Sequence, residues 1–238
     1  MPTLQRIPLW DLPIRIFHWT LVSSVIAAIA TAIIGGNWIV WHGRLGLLIV
    51  GLISFRVMWG FLGSHYARFA QFFPTPSNLK AYLQGTWKGE GHNPLGALSV
   101  FGLLGVLALQ ATTGLFSNDD IAFSGPLSTL VGKDKSDQFT QLHEWNAYAI
   151  YLLVSLHIGA IAFYKIVKKN NLITPMITGW KETSETTKTV ASNAGNTGSV
   201  GRLLISIAVA FAAVYGASGA WKPTSPPPAA TKVETPSF

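Results

Sequence analysis

The chain of 238 residues contains no cysteine. That absence excludes disulfides, iron–sulfur clusters, thiolate zinc sites and covalent c-type haem attachment. Charge is scarce as well: 11% of residues are Asp, Glu, Lys or Arg, against about 25% in a soluble domain. A soluble enzyme of two ordinary domains is therefore excluded, and the long apolar runs place the chain among integral membrane proteins. No Ser/His/Asp set, metal-hydrolase motif or phosphate loop is present in the sequence.

Five apolar spans stand out, over residues 16–34, 45–62, 95–115, 145–167 and 203–220. Each is near the roughly 20 residues that a helix needs to cross the hydrocarbon core. Barrel strands would be shorter and would alternate, so an all-α membrane protein is expected. The first span follows Arg6 and Arg15 and holds Ala28 and Ala30 in an A-x-A pattern, like a signal peptide. Its apolar run outlasts the roughly 7–15 residues of a signal-peptide core, so it reads as a true span.

The formal charge of +7 is mostly topology. With the N-terminus in the cytoplasm, twelve of the seventeen basic residues fall on inner segments. Arg44, Lys133, Lys135, Lys222 and Lys232 fall outside. This is the positive-inside bias, with contact to the membrane surface; nucleic-acid binding has little support. The expected orientation puts the N-terminus in the cytoplasm and the C-terminus outside. An inner loop over 63–94 has an aromatic middle, 66–73, expected at the membrane interface. An outer loop is expected over 117–139. Residues 182–199, rich in Thr, Ser, Asn and Gly, read as a flexible linker. Residues 222–238 read as a Pro-rich disordered tail.

Six histidines are the only strong nitrogen ligands. His18 lies near the inner start of the first span and His42 at the outer start of the second. His143 and His157 share the fourth span, fourteen residues apart. That is close to four turns, so both face nearly the same way, about 21 Å apart along the axis. Matching depths pairs His18 with His157 and His42 with His143, each pair joining two helices. Helical bundles build cofactor sites from facing side chains, and neutral imidazole is an axial haem ligand. Two b-type haems stacked across the membrane fit this pattern. A lone histidine at a helix mouth is more often interfacial or hydrogen-bonded, so spacing alone leaves ligation and a structural role both open. Zinc or copper fits less well, with two nitrogens per depth and few carboxylates.

Other residues are read in the same two ways. Gly46, Gly51, Gly102 and Gly105 either clear space for a flat macrocycle or permit plain helix approach. Arg44 either pairs with haem propionates or anchors at the interface. Arg56 lies deep in the second span and needs a partner or must snorkel. His65 and His92 read first as loop residues, with His92 placed to touch a propionate or a quinone. Tyr82, Trp87 and His92 are candidates for a quinone site. In the fifth span, Ala208, Ala212 and Gly216 form a small-residue stripe fit for helix docking.

The ordered motifs Trp10-Asp11-Leu12-Pro13-Ile14-Arg15-Ile16-Phe17-His18-Trp19, Trp41-His42-Gly43-Arg44-Leu45-Gly46 and Phe55-Arg56-Val57-Met58-Trp59-Gly60 resemble the bacterial cytochrome b561 family. The likeness continues through Gly91-His92-Asn93-Pro94-Leu95-Gly96, Thr113-Gly114-Leu115, Leu142-His143-Glu144 and His157, and ends at Met176-Ile177-Thr178-Gly179-Trp180-Lys181. It covers roughly residues 8–181. Membrane subunits of nickel–iron hydrogenases and formate dehydrogenases share this four-helix, two-haem plan.

The resemblance implies a four-helix transmembrane bundle holding two haems b in the bacterial inner membrane, working with membrane quinone. It implies axial ligation at His18, His42, His143 and His157. Expected domains are the dihaem core at 1–181, the linker at 182–199, a fifth transmembrane helix at 200–221 and the tail at 222–238. The expected function is electron transfer between quinone and an outer-face partner: a periplasmic cytochrome c, the subunits of an oxidoreductase complex, or superoxide. The competing reading is an anchor or assembly subunit, which the fifth helix and tail suit.

Overall fold

The computed structural model describes residues 5–89, 91–121, 123–183 and 199–223. Its elements run β1 (Gln5–Pro8), α1 (Leu12–Ile34), α2 (Ile39–Leu62), α3 (Phe69–Phe72), α4 (Pro76–Leu83), α5 (Pro94–Phe116), α6 (Lys133–Ile166), α7 (Ile173–Thr178), β2 (Trp180–Thr183) and α8 (Val200–Ser218). Five of the helices (α1, α2, α5, α6 and α8) are long and apolar enough to cross a membrane. Their outward faces expose Ile26, Ile33, Leu48, Phe61, Leu98, Leu152, Leu156 and Phe211. Such faces suit lipid, which offers apolar contact and no hydrogen bonds.

The helix starts are written in the local sequence. Asp11 caps α1, its Oδ1 accepting from the Ile14 N–H at 2.8 Å. Pro13 follows in the first turn, where a missing N–H costs nothing. Asn93 caps α5 in the same way through the Gly96 N–H at 2.8 Å, with Pro94 next. Polar side chains inside the spans bond back to their own helix: Thr31 to the Ala27 carbonyl, Thr113 to Leu109 and Ser206 to Arg202.

The helix α2 is the hub, packing on α1, α5 and α8, while α5 packs along α6. At one end, segments near residues 8 and 180 are tied together. Strands β1 and β2 pair antiparallel, with Ile7 opposite Lys181. Gly179 closes α7 at φ 88°, and its carbonyl accepts from the N–H groups of Leu9 and Trp10 at 2.8 and 3.1 Å. A Cβ there would stand 2.7 Å from Arg15 Nη1, so the tie needs glycine. Arg15 and Trp19 complete it by donating to the Thr178 and Met176 carbonyls. This is called the clasp end below.

The aromatic stretch 66–73 lies against the bundle: Tyr66, Ala67 and Phe72 are buried. Phe69 and Phe72 pack on Phe101 of α5, at ring distances of 5.2 and 5.8 Å. One expectation needs correction: 117–139 is not all loop, because α6 starts at Lys133. Its first turns are polar, held by Ser136 Oγ donating to the Phe116 carbonyl at 2.7 Å and by Lys133 pairing with Asp137. A hydropathy reading cannot see a helix that continues past the membrane.

On α8 the stripe of Ala208, Ala212 and Gly216 is exposed. The face that meets α2 carries Leu203, Ser206, Ala210, Val214 and Ala217. Val214 lies so close to Gly51 that a Cβ there would be 2.8 Å from its Cγ2. Beyond α8, Lys222 donates to the Pro126 carbonyl and to Thr129 Oγ1, tying it to the α5–α6 connection. The strand β2 takes up 180–183, so only its last residues overlap the linker expected over 182–199. Residues 184–198 and the tail from 224 lie outside the described residues.

Candidate functional site

The four span histidines fall into two sites. At the end opposite the clasp, His42 of α2 and His143 of α6 bring their rings to 5.9 Å between centroids, at 85°. His42 Nδ1 lies 2.9 Å from the Ala28 carbonyl of α1. His143 Nδ1 lies 2.9 Å from the Gln110 carbonyl of α5, with Thr113 Oγ1 at 3.2 Å. A carbonyl only accepts, so each Nδ1 carries the proton and each Nε2 keeps its lone pair. Metal-bound histidines show this arrangement, the second nitrogen fixing tautomer and ring orientation.

The surroundings fit a cofactor. A cavity of about 360 Å³ opens beside the two rings, lined by His42, Arg44, Gly46, Leu107, Gly114 and His143 among others. The two ring centres, 5.9 Å apart, are close enough for both imidazoles to reach one bound group. Gly46 has open space where a Cβ would stand. Arg44 is exposed at the rim, its guanidinium 4.8 Å from the Trp41 ring centre.

Gly114 is more demanding. A Cβ there would lie 2.9 Å from His143 Cε1. Gly114→Val is therefore expected to turn the His143 ring and, on the haem ligation expected of His143, to lower bound haem selectively at this end. The check is haem content and visible spectrum of the purified variant; parental values for both would show that the ring has room.

At the clasp end stand His18 of α1, next to Trp19 of the clasp, and His157 of α6, about 21 Å along its helix from His143. His157 Nδ1 is 3.2 Å from Ser99 Oγ, while His18 Nδ1 is buried with no hydrogen-bond partner among the described residues. These imidazoles are held less firmly than the other pair. His92 joins them, although it reads first as a loop residue. Its ring packs between Trp10 and Phe72, at 4.6 and 4.5 Å. Burial first, then the charges of Arg56 and His157, push its pKa down to about 3, so it stays neutral across the physiological range. Tyr82 and Trp87 connect to His92 only through its neighbour: Tyr82 bonds Tyr164, whose hydroxyl also accepts from Asn93 Nδ2 at 2.8 Å, and Trp87 packs on Tyr82. His65 packs edge-on against Tyr66.

Sequence reasoning missed Gln110 and Asn146. Asn146 Nδ2 donates to the Val106 carbonyl at 2.9 Å and to Gln110 Oε1 at 2.7 Å. One residue of α5 therefore holds both His143 and the residue nearly a turn beyond it. Two amide side chains inside apolar spans were the available signal. Among the described residues no group of three or more His, Cys, Asp or Glu is placed to hold a bare metal ion.

The model of the prokaryotic cytochrome b561 family matches residues 9–179. The chain is 25% identical to a probable Ni/Fe-hydrogenase B-type cytochrome subunit of Azotobacter chroococcum mcd 1, over 72% of this chain and 87% of that one. It is 21% identical to the probable Ni/Fe-hydrogenase 1 B-type cytochrome subunit of Escherichia coli K12, over 72% and 89%. A similar subunit from Bradyrhizobium diazoefficiens is 24% identical, over 73% and 85%. No solved structure matches. The match spans α1, α2, α5 and α6, with all four span histidines inside it, and the chain belongs to the prokaryotic cytochrome b561 family.

Proposed function

We propose that this chain carries electrons across the bacterial inner membrane through two haems b, between membrane quinone and a redox partner at the outer face. Family membership supports a multi-pass b-type cytochrome that transfers electrons across a membrane. The haem count, the ligands, the quinone and the direction of the termini belong to the proposal. One observation carries it: His42 and His143 meet with each Nδ1 on a backbone carbonyl and each Nε2 left over.

In this reading His42 and His143 hold one haem, and His18 and His157 the other. Bound haem supplies the one-electron chemistry. The chain's own residues do the rest. The Ala28 and Gln110 carbonyls hold two imidazoles in a single tautomer, and hydrogen bonding of this kind raises ligand basicity. The apolar lining of the cavity keeps water from the centre. Arg44, at the rim, is placed to pair with a carboxylate of the haem there. Quinone exchanges electrons at the clasp end, which faces the cytoplasm. Outside, the partner is an oxidoreductase complex or a periplasmic cytochrome c; the hydrogenase-subunit names of the relatives favour the former. The core is 1–181, with α8 an added membrane helix.

A pyridine haemochrome assay on purified full-length protein tests this, and two haems b per chain is the expected result. One or none would overturn the dihaem reading. Parental-type membrane insertion without any haem would favour the anchor role instead.

A further inference from the structure

The side chain of Arg56 is 4% exposed and sits within α2, in a span that faces hydrocarbon. Its guanidinium lies over the Phe69 ring at 4.6 Å, and its Nη1 is buried with no hydrogen-bond partner among the described residues. Asp11 is within electrostatic reach, but its oxygens already accept from the Ile14 N–H and from Trp59 Nε1, at 2.8 and 2.9 Å. A buried cation with an idle donor is costly unless something anionic meets it. Arginine's fork suits a carboxylate in particular. Phe69 packs on Phe72, whose ring lies 4.5 Å from His92, and Arg56 stands fourteen residues beyond His42 as His157 stands beyond His143, so Arg56, His92 and His157 share the clasp end. His92 Nδ1 is likewise buried without a hydrogen-bond partner among the described residues.

We propose that Arg56 is a carboxylate seat: its idle Nη1 pairs with a propionate of the haem held by His18 and His157, with His92 packed alongside. The proposal rests on the dihaem reading above. It explains why a charge is kept inside the bundle at the depth of those two histidines. It also gives the clasp-end centre a positive neighbour that Asp11 only partly neutralises.

The test is a potentiometric titration of full-length protein in native membranes, with an infrared redox difference spectrum of the same samples. Wild type should show two haem transitions; a single one would refute the dihaem reading rather than this seat. In Arg56→Gln, one transition should move to lower potential, because a nearby positive charge favours the reduced state. It should be the transition that disappears in His157→Ala. In Arg56→Lys, which keeps the charge without the fork, that transition should move less, yet the carboxylate bands of the infrared spectrum should still shift. Should Arg56→Gln fail to accumulate, the lysine variant decides alone. Unchanged carboxylate bands in Arg56→Lys would overturn the seat, and so would unmoved potentials in Arg56→Gln. A shift confined to the other haem would overturn it as well, as would a change only in the apparent affinity for quinone.

Discussion

His143→Ala is expected to leave the protein with half its haem, and the surviving spectrum should be that of the clasp-end centre. His143 is the only contribution of α6 to its site in the proposed ligand set, and alanine offers no lone pair to iron. The variant also frees the Gln110 carbonyl, but that group can still be met by the Thr113 hydroxyl, 3.0 Å away, so the fold should survive. His157→Ala should give the complementary half. Electron flow through the membrane should fail in both, since either loss breaks the route. Pyridine haemochrome and reduced-minus-oxidised spectra of the two variants check this. If either substitution removed both haems, the two sites would be a single cooperative unit and not the independent pairs described here.

The second large effect is structural and centres on Asp11. One oxygen caps α1, and the other accepts from the indole of Trp59, which is 1% exposed. Asp11→Ala should cost about 2–4 kcal/mol: about 1 for the cap and about 1–3 for a buried N–H left without a partner. The informative variant is Asp11→Asn. At an ordinary helix start Asn caps as well as Asp. Here the amide has a single oxygen, so its NH₂ must face either the Ile14 N–H or the Trp59 N–H, donor against donor. Its charge, felt by Arg56, is also gone. Asp11→Asn is therefore expected to lose well over half of what Asp11→Ala loses, with thermal unfolding in detergent as the measurement. A wild-type midpoint for Asp11→Asn would show that capping is the whole role.

Much of this was legible in the chain. The five spans follow from the length of apolar runs, and the meeting of His42 with His143 follows from depth and helical pitch. What escaped had physical reasons. Lipid is as apolar as leucine, so hydrophobicity does not say which face of α8 meets protein. The small stripe of Ala208, Ala212 and Gly216 stays exposed, and the face packed on α2 runs through Leu203, Ser206, Ala210 and Val214. The polar start of α6 is invisible to hydropathy because it lies beyond the apolar run. The β1–β2 tie joins segments more than 170 residues apart, Ile7 to Lys181, and no local signal marks either as a strand. Gln110 acts mainly through its main-chain carbonyl, which any residue type would supply; only its amide contact with Asn146 has a sequence signature.

One feature of α6 bears on speed. The helix runs unbroken for 34 residues and contains no proline, and between His143 and His157 it has no glycine either. Sharp kinks arise almost always at such residues or at local breaks in the hydrogen-bond ladder. The two imidazoles therefore ride on a single stiff rod, about 21 Å apart. In the proposed dihaem reading that rod holds the separation of the two haem sites constant; tunnelling falls off exponentially with distance, so throughput would be controlled by driving force and by the contacts at either end.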